Sequence, residues 1–311
     1  MNALILSTLS QGLIFAIAAL GIYITFRILD FPDLSVDGSF TMGAAICAVL
    51  IKSGISPYLA LALAVVGGMG AGAVTGLLHV KLGITNILSG IIVMIGLYSI
   101  NLRIMGKSNI HLFDVTHMFS SYPAQQKLLL VFVFAVLLKL ALDMFFKTQI
   151  GYVLKALGEN ENFVTALGFN AGSFKILGLV LANGCVALSG ALYAQYQGFA
   201  DVGMGTGLIV SGLASIVIGE ILFKKITVFK TTTVVVLGSL AYRAILSTAL
   251  KMGLNASDLK LVTAFIMVLI LSGLVERSVR KLMDLTKVSK HRPQLGKLDK
   301  KDLKKEVKVH A

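Results

Sequence analysis

Long apolar runs separated by short polar segments fill most of the chain. Nine runs predict helices, at about residues 3–26, 38–53, 56–78, 84–102, 128–146, 174–197, 207–223, 231–250 and 259–276. An α-helix needs about 20 apolar residues to cross the hydrocarbon core of a bilayer. The second run is short, which indicates a helix that starts late. The pattern therefore predicts an all-α polytopic membrane protein with about nine transmembrane helices.

Composition supports the membrane class. Hydrophobic residues make up 56% of the 311 residues and charged residues only 14%, whereas soluble domains average about 25% charged residues. Cys47 and Cys185 both lie in apolar runs and are expected to be packing residues, since two cysteines cannot form a four-thiolate metal site.

The basic residues predict how the helices are oriented, because Lys and Arg concentrate in cytoplasmic connections. With the C-terminus inside, the inside connections and tail contain twenty basic residues and the outside connections six. The N-terminus is therefore predicted outside and the C-terminus inside. Residues 1–276 form the transmembrane domain, and residues 277–311 form a basic cytoplasmic tail. Twelve of the 28 basic residues lie in this tail. The net positive charge of the chain therefore indicates a tail that stays in the cytoplasm rather than a nucleic-acid-binding protein.

The segment DFPDLSVDGSFTMG at 30–43 places carboxylates and turn-forming residues between the first two runs, near the predicted cytoplasmic side. Non-helical backbone at membrane depth is tolerated only when it is buried in protein or lines a wet cavity. Ser35 or Asp37 is expected to cap the second helix. Two interpretations stay open. Asp33, Ser35, Asp37 and Ser39 either fix a helix break that shapes the inner part of a transport pathway, or cap a helix in a solvated loop.

Other polar residues fall within the apolar runs. Asn86, Asn183 and Gln195 either line the pathway or form hydrogen bonds between helices. Arg243 must face protein or water, because a charged side chain is costly against lipid. Glu220 is its expected partner, as a buried charge pair.

Gly68, Gly72 and Gly76 repeat every four residues along the third run. This spacing places all three on one face of a helix, where the absent side chains let a neighbouring helix approach closely. A buried packing seam is predicted there.

Motifs for catalysis or nucleotide binding are missing. Gly106–Ser108 reads GKS, but Asn101 occupies the position of the first glycine of a Walker A motif. His111 and His117 share one connection without a third ligand type, so no metal site is expected. No catalytic set is evident, and the chain is not expected to be an enzyme.

The inside loop at about 147–173 contains a short predicted helix at 159–167. Its acidic and amide residues suit a helix N-terminus, and Gly168 can end the helix by adopting a positive φ. The helix is either a lever for another protein or part of a plain connecting loop.

Several segments resemble the permease subunits of bacterial ATP-binding cassette (ABC) importers, in the superfamily of ribose-type and branched-chain amino-acid permeases. They are DLSVDGSFTMGA at 33–44, KALGENENFVTALGFNAGSFKIL at 155–177, ALSGALYAQYQG at 187–198 and GTGLIVSGLASIVIGEIL at 205–222. The resemblance spans about 30–275, and it is greatest to the aromatic-amino-acid (tryptophan/tyrosine-like) branch. It departs from the ribose type in having the extra charge of Asp37 and nine helices rather than ten.

The resemblance implies a permease that imports a small solute, an amino acid, across the bacterial cell membrane. It implies a second permease copy, a separate ABC ATPase that binds ATP and Mg²⁺, and an extracytoplasmic binding protein or lipoprotein. The chain itself is expected to bind no cofactor. The coupling helix at 159–168 would seat on the ATPase through Gly158, Glu159, Glu161, Ala166, Leu167 and Gly168. An ion-coupled secondary transporter is the alternative, and a membrane-embedded enzyme is a weaker one.

Overall fold

A computed structural model of the chain describes residues 2–120, 122–223, 230–255 and 258–272. Residues Met1–Val268 form one unit, described below. Of the second unit, Leu269–Ala311, only 269–272 are described, so the predicted tail at 277–311 lies outside the described residues. The helices are α1 (Asn2–Tyr23), α2 (Ser35–Lys52), α3 (Pro57–Leu82), α4 (Asn86–Met105), α5 (Ala124–Phe145), α6 (Gln149–Glu159), α7 (Glu161–Ala166), α8 (Ala171–Gln197), α9 (Leu208–Phe223), α10 (Thr231–Lys251) and α11 (Leu259–Leu271).

Each of the nine predicted runs contains a helix, which confirms the all-α membrane class. Seven helices in the described part of the chain are long and apolar enough to cross a membrane: α1 to α5, α8 and α10. The apolar helices α9 and α11 are shorter, at 16 and 13 residues. The count of nine transmembrane helices therefore stays a prediction.

The connections gather at two ends of the helices. One end, the α7 face, contains α6, α7 and the turn at Gly83. The other end, the ribbon face, contains the connection 106–123 and a two-stranded ribbon of β1 (Asn109–His111) and β2 (Phe199–Asp201). The antiparallel ribbon pairs Ile110 with Ala200. These strands were not predicted, since three-residue strands are too short to produce an alternating pattern.

Two helices begin inside the bundle rather than at an end. After α1, a π-helical turn at Ile24–Ile28 reaches the α7 face, and residues 29–34 then run back into the protein. Helix α2 starts at Ser35, beside Asn183 near the middle of α8. Residues 202–207 similarly descend from the ribbon face and contact Thr41 and Asp37, where α9 starts. The late start predicted for the second helix is confirmed.

Glycines bring α2, α3 and α8 into backbone contact at the centre of the fold. A Cβ atom at Gly68 would overlap Ala187 and the carbonyl of Asn183, and one at Gly72 would overlap the carbonyl of Leu179. A Cβ at Gly76 would press on Ile176. The predicted glycine seam is therefore confirmed, and α8 is its partner.

The short helix predicted at 159–167 is present as α7 (Glu161–Ala166), and a second helix, α6, precedes it. Helix α6, missed from sequence, lies on the α7 face, begins at the cap Thr148, and buries Gly151, Leu154 and Leu157. Helix α7 begins at Asn160, whose side chain accepts a hydrogen bond from the Phe163 amide. Gly168 has a φ of 85°, so its expected role in ending the helix is confirmed.

We expect Gly68→Ala and Gly72→Ala each to lower the free energy of unfolding by about 1–3 kcal/mol, because the added methyl group overpacks the contact with α8. Gly70→Ala is the matched control, since a Cβ there meets nothing within 4 Å. Thermal unfolding in detergent measures the difference. Equal melting temperatures for the three variants would contradict close packing at the seam.

Candidate functional site

Four predicted site residues form one buried hydrogen-bonded cluster at the start of α2. The Asp33 carboxylate accepts from the Ser35 amide at 2.8 Å and from the Ser35 hydroxyl at 2.6 Å through Oδ1. Its Oδ2 accepts from Asn183 Nδ2 at 2.8 Å. Ser39 donates to Asn183 Oδ1 at 2.6 Å. We call Asp33, Ser35, Ser39 and Asn183 the polar knot.

The polar knot is closed to solvent. Its four side chains are at most 1% exposed, and they bind one another. The break before α2 is therefore buried in protein and is not a solvated loop, so the second of the two interpretations is wrong. The expected cap also differs. Asp33, rather than Ser35 or Asp37, accepts from the first turn of α2, because the chain bends back at residues 30–34.

Asp37 instead caps a different helix. Its carboxylate accepts from the amides of Gly207 and Ile209, at 2.8 and 2.9 Å. The first amides of a helix lack internal partners and carry partial positive charge, so a carboxylate stabilises them. Thr41, one turn further along α2, accepts from the Gly205 amide at 3.1 Å. The first turns of α2 thus hold the start of α9.

A cavity of about 350 Å³ adjoins this junction. The polar residues that line it are Asp37, Thr41, Tyr98, Ser99, Asn101 and Thr206, and Met94, Ile95 and Val202 add apolar surface. Small-molecule sites have this size and this mixture of apolar walls and a few polar groups. Of the predicted pathway residues, only Asp37 lines this cavity.

Asn101 is a cavity residue that the sequence did not reveal as one. It is 1% exposed, and its Nδ2 donates to the carbonyl of Gly38 at 3.1 Å. Its Oδ1 is buried and has no hydrogen-bond partner among the described residues. A buried acceptor without a partner is costly, so this oxygen is available for a donor on a bound solute. The sequence feature that could have identified Asn101 is its polar amide near the end of an apolar run.

The two other predicted amides lie elsewhere. Gln195 is buried near the ribbon face, where its Oε1 accepts from the Met118 amide at 3.0 Å and its Nε2 lies 3.2 Å from Cys47 Sγ. It therefore fixes the connection 106–123 onto α8. Asn86 is half-buried at the first position of α4, about one turn before Gly90, which contacts Asp33.

The expected pair of Glu220 and Arg243 is wrong. Glu220 pairs with Arg27, in the π-helical turn at the α7 face. Gly219 packs against Val234 and Gly238, so Arg243 lies more than a turn further along α10. Its guanidinium carbon instead lies 3.5 Å from the ring centroid of Phe15, as in a cation–π contact.

The α7 surface combines exposed apolar and acidic side chains. Phe163, Leu167 and Phe169 are exposed, whereas Val164 is buried against the bundle. Glu161 bonds Lys175 of α8 at 2.8 Å, which ties α7 to the start of a long helix. Of the predicted coupling residues, Glu159 ends α6 rather than starting α7, and Gly158 packs against the carbonyl of Ile28.

The family model for the branched-chain amino acid transport system permease component matches residues 4–272. The chain belongs to this family. It is therefore a permease component of an ABC transport system and a multi-pass protein of the bacterial cell membrane. The match includes all the site residues named above.

Named relatives are similar over most of the chain. The tyrosine transport system permease protein of Clostridioides difficile (strain R20291) is 51% identical over 278 residues, covering 89% of this chain and 94% of the relative. Uncharacterized protein RP368 of Rickettsia prowazekii (strain Madrid E) is 34% identical, over 88% of this chain and 98% of its own length. The ribose import permease protein RbsC of Escherichia coli (strain K12) is 24% identical over 60% of each chain. No solved structure matches the chain.

We expect Asn183→Ala to lower the free energy of unfolding by about 1–3 kcal/mol, because it leaves an oxygen of Asp33 and the Ser39 hydroxyl buried without partners. Asn86→Ala removes the same amide from a half-buried site where the described structure shows no side-chain hydrogen bond. Thermal unfolding of both variants provides the comparison. A loss in Asn86→Ala as large as that in Asn183→Ala would contradict the structural role of the polar knot.

Proposed function

We propose that this permease imports an amino acid, tyrosine or a close aromatic relative, as the membrane subunit of an ABC importer. The observation that supports this best is the cavity at the junction of α2 and α9, with its partnerless Asn101 oxygen. The printed name of the Clostridioides difficile relative supports the choice of tyrosine.

The cavity suits a zwitterion with an aromatic side chain. Asp37 and the Asn101 oxygen offer acceptors for an ammonium group, and the hydroxyl groups of Ser99 and Thr206 offer donors for a carboxylate. Met94, Ile95 and Tyr98 offer an apolar and aromatic surface for a ring. The polar knot is proposed to hold the helix break that shapes this pathway.

The cavity is open along α4, where Ile92, Ile95 and Tyr98 are exposed. We assign this side to a second copy of the chain, so that two copies enclose one pathway. The N-terminus lies outside and the C-terminus inside, as the distribution of basic residues indicates. An extracytoplasmic binding protein or lipoprotein delivers the solute to the ribbon face.

ATP and Mg²⁺ are bound by a separate ATPase on the α7 face, and the chain itself hydrolyses nothing. Phe163, Leu167 and Phe169 form the apolar part of the docking surface, and Glu159 and Glu161 form the acidic part. The Glu161–Lys175 salt bridge transmits a displacement of α7 to α8, and the middle of α8 contains Asn183. Closure of the ATPase thereby moves the helices around the cavity.

Narrowing the cavity tests the pathway. Ser99→Phe places a ring in the cavity, and we expect tyrosine uptake to fall about tenfold or more, as a steric cost above about 1.4 kcal/mol predicts. Uptake is measured with radiolabelled tyrosine in cells that express the permease with the ATPase and binding protein of its gene neighbourhood. Ile100→Phe is the control, since Ile100 is exposed on α4 but does not line the cavity. Full uptake by Ser99→Phe at equal expression would refute the pathway.

Charge on the α7 surface tests coupling. We expect Phe163→Asp with Leu167→Asp to abolish co-purification of the ATPase and uptake, because the docking surface loses its apolar contacts. Phe113→Asp with Tyr122→Asp introduces the same charge on exposed residues of the ribbon face. The control should retain the ATPase on the purified complex. Retention by the α7 variant, or uptake that continues without ATP, would instead favour a secondary transporter.

A further inference from the structure

A second cavity, of about 250 Å³, lies on the α7 face where α5 ends and α6 and α10 begin. The side chains that matter are Lys147, Tyr152, Lys155, Lys230, Thr231 and Thr232. We call this cavity the lysine pocket. None of these residues lines the cavity at the junction of α2 and α9, and none belongs to the polar knot or to α7.

The carboxylate in the lysine pocket is already neutralised. Asp143 Oδ2 lies 2.8 Å from Lys139 Nζ and 3.0 Å from Lys230 Nζ, and its Oδ1 accepts from Thr232 at 2.5 Å. Two ammonium groups thus share one carboxylate. Lys147 and Lys155 are exposed at the rim and have no carboxylate partner among the described residues. The pocket therefore has an excess of positive charge and hydroxyl donors.

The surroundings place the lysine pocket at the boundary of the membrane. The outer side of α5 is apolar and exposed up to its last turn, at Leu137, Leu140 and Met144, as expected of a helix facing hydrocarbon. Helix α6 follows with an apolar side turned inward and Ile150 and Tyr152 exposed. An amphipathic helix with aromatic and basic residues is typical of the headgroup layer.

Aromatic rings hold one of the rim lysines in position. The Lys155 ammonium lies 5.3 Å from the ring centroid of Phe146 and 5.7 Å from that of Tyr152. These contacts leave its N–H donors free while limiting the freedom of the side chain. A preorganised cation of this kind favours an anion that carries several acceptor oxygens.

We propose that the lysine pocket binds the phosphodiester of an anionic phospholipid. Lys147, Lys155 and Lys230 supply the charge, Thr231 supplies a hydroxyl, and the acyl chains lie against α5. The proposed orientation places the α7 face on the cytoplasmic side. Basic pockets between helices on that side of a membrane are suited to anionic headgroups. Binding there would stabilise the start of α6, and with it the position of α7.

The test compares lipid retention by native mass spectrometry. Full-length protein is mixed with phosphatidylglycerol and phosphatidylcholine of identical acyl chains, and the ratio of bound lipids is measured. Each lysine near an anionic headgroup contributes about 1 kcal/mol, so Lys147→Gln with Lys155→Gln should weaken phosphatidylglycerol binding roughly 30-fold. Lys52→Gln with Lys107→Gln removes the same charge from exposed lysines on the ribbon face and should keep the wild-type preference.

A second measurement distinguishes a lipid phosphodiester from a soluble phosphate ligand. It is the change in melting temperature that inorganic phosphate produces in lipid-free detergent. Preference for phosphatidylglycerol that only the Lys147/Lys155 variant loses supports the lipid site. Equal retention of both lipids by the wild type, or equal loss in both double variants, would overturn it. Stabilisation by inorganic phosphate that depends on Lys147 and Lys155, without a lipid preference, would also overturn it in favour of a soluble ligand. None of these results depends on which solute the permease imports.

Discussion

The carboxylate of Asp37 joins the two helices that begin inside the protein. It stands in the first turn of α2 and accepts the first amides of α9. Without a partner, those amides would be unsatisfied donors at the partly buried start of a helix. Together with the hydrogen bond from Gly205 to Thr41, this contact fixes residues 202–207 and the start of α9 beside the cavity.

The second constraint is the short distance between the backbones of α2 and α8. At Gly43 and Gly190, a side chain would overlap the carbonyls of Ala187 and Phe40, so α2 lies directly on α8. This proximity lets Asn183 reach Asp33 and Ser39 with a short side chain. Packing and polar contacts are therefore coupled, because each depends on the same close approach of two helices.

Local features of the fold could be predicted from the sequence, and contacts between distant segments could not. Apolar runs located the helices, and the spacing of Gly68, Gly72 and Gly76 located the seam, because both follow from helical periodicity. Depth along straight membrane spans predicts Arg243 as the partner of Glu220. The π-helical turn after α1 brings Arg27 to it instead. Helix α6 is not evident in the sequence because it has only 11 residues and directly follows the longer apolar run of α5.

In the candidate site, too, local features could be predicted from the sequence and contacts between distant segments could not. The sequence placed Asp33, Ser35 and Ser39 at a helix break, but only the fold shows that Asn183 closes them into one buried cluster. In the sequence, Asn101 stands out only as a mismatch to a nucleotide-binding motif. Its position in the cavity depends on the side-by-side packing of α2 and α4, which periodicity does not encode.

The guanidinium of Arg243 places a fixed positive charge in the interior of the protein, near the start of α9. It lies against Phe15 in a pocket that also contains Lys260 and the first residues of α9, with no carboxylate bound to it among the described residues. Fixed positive charge in a low-dielectric interior raises the energy of any inorganic cation that approaches. We therefore expect the Arg243 pocket to repel sodium and potassium ions, whereas a zwitterion without net charge meets no such repulsion.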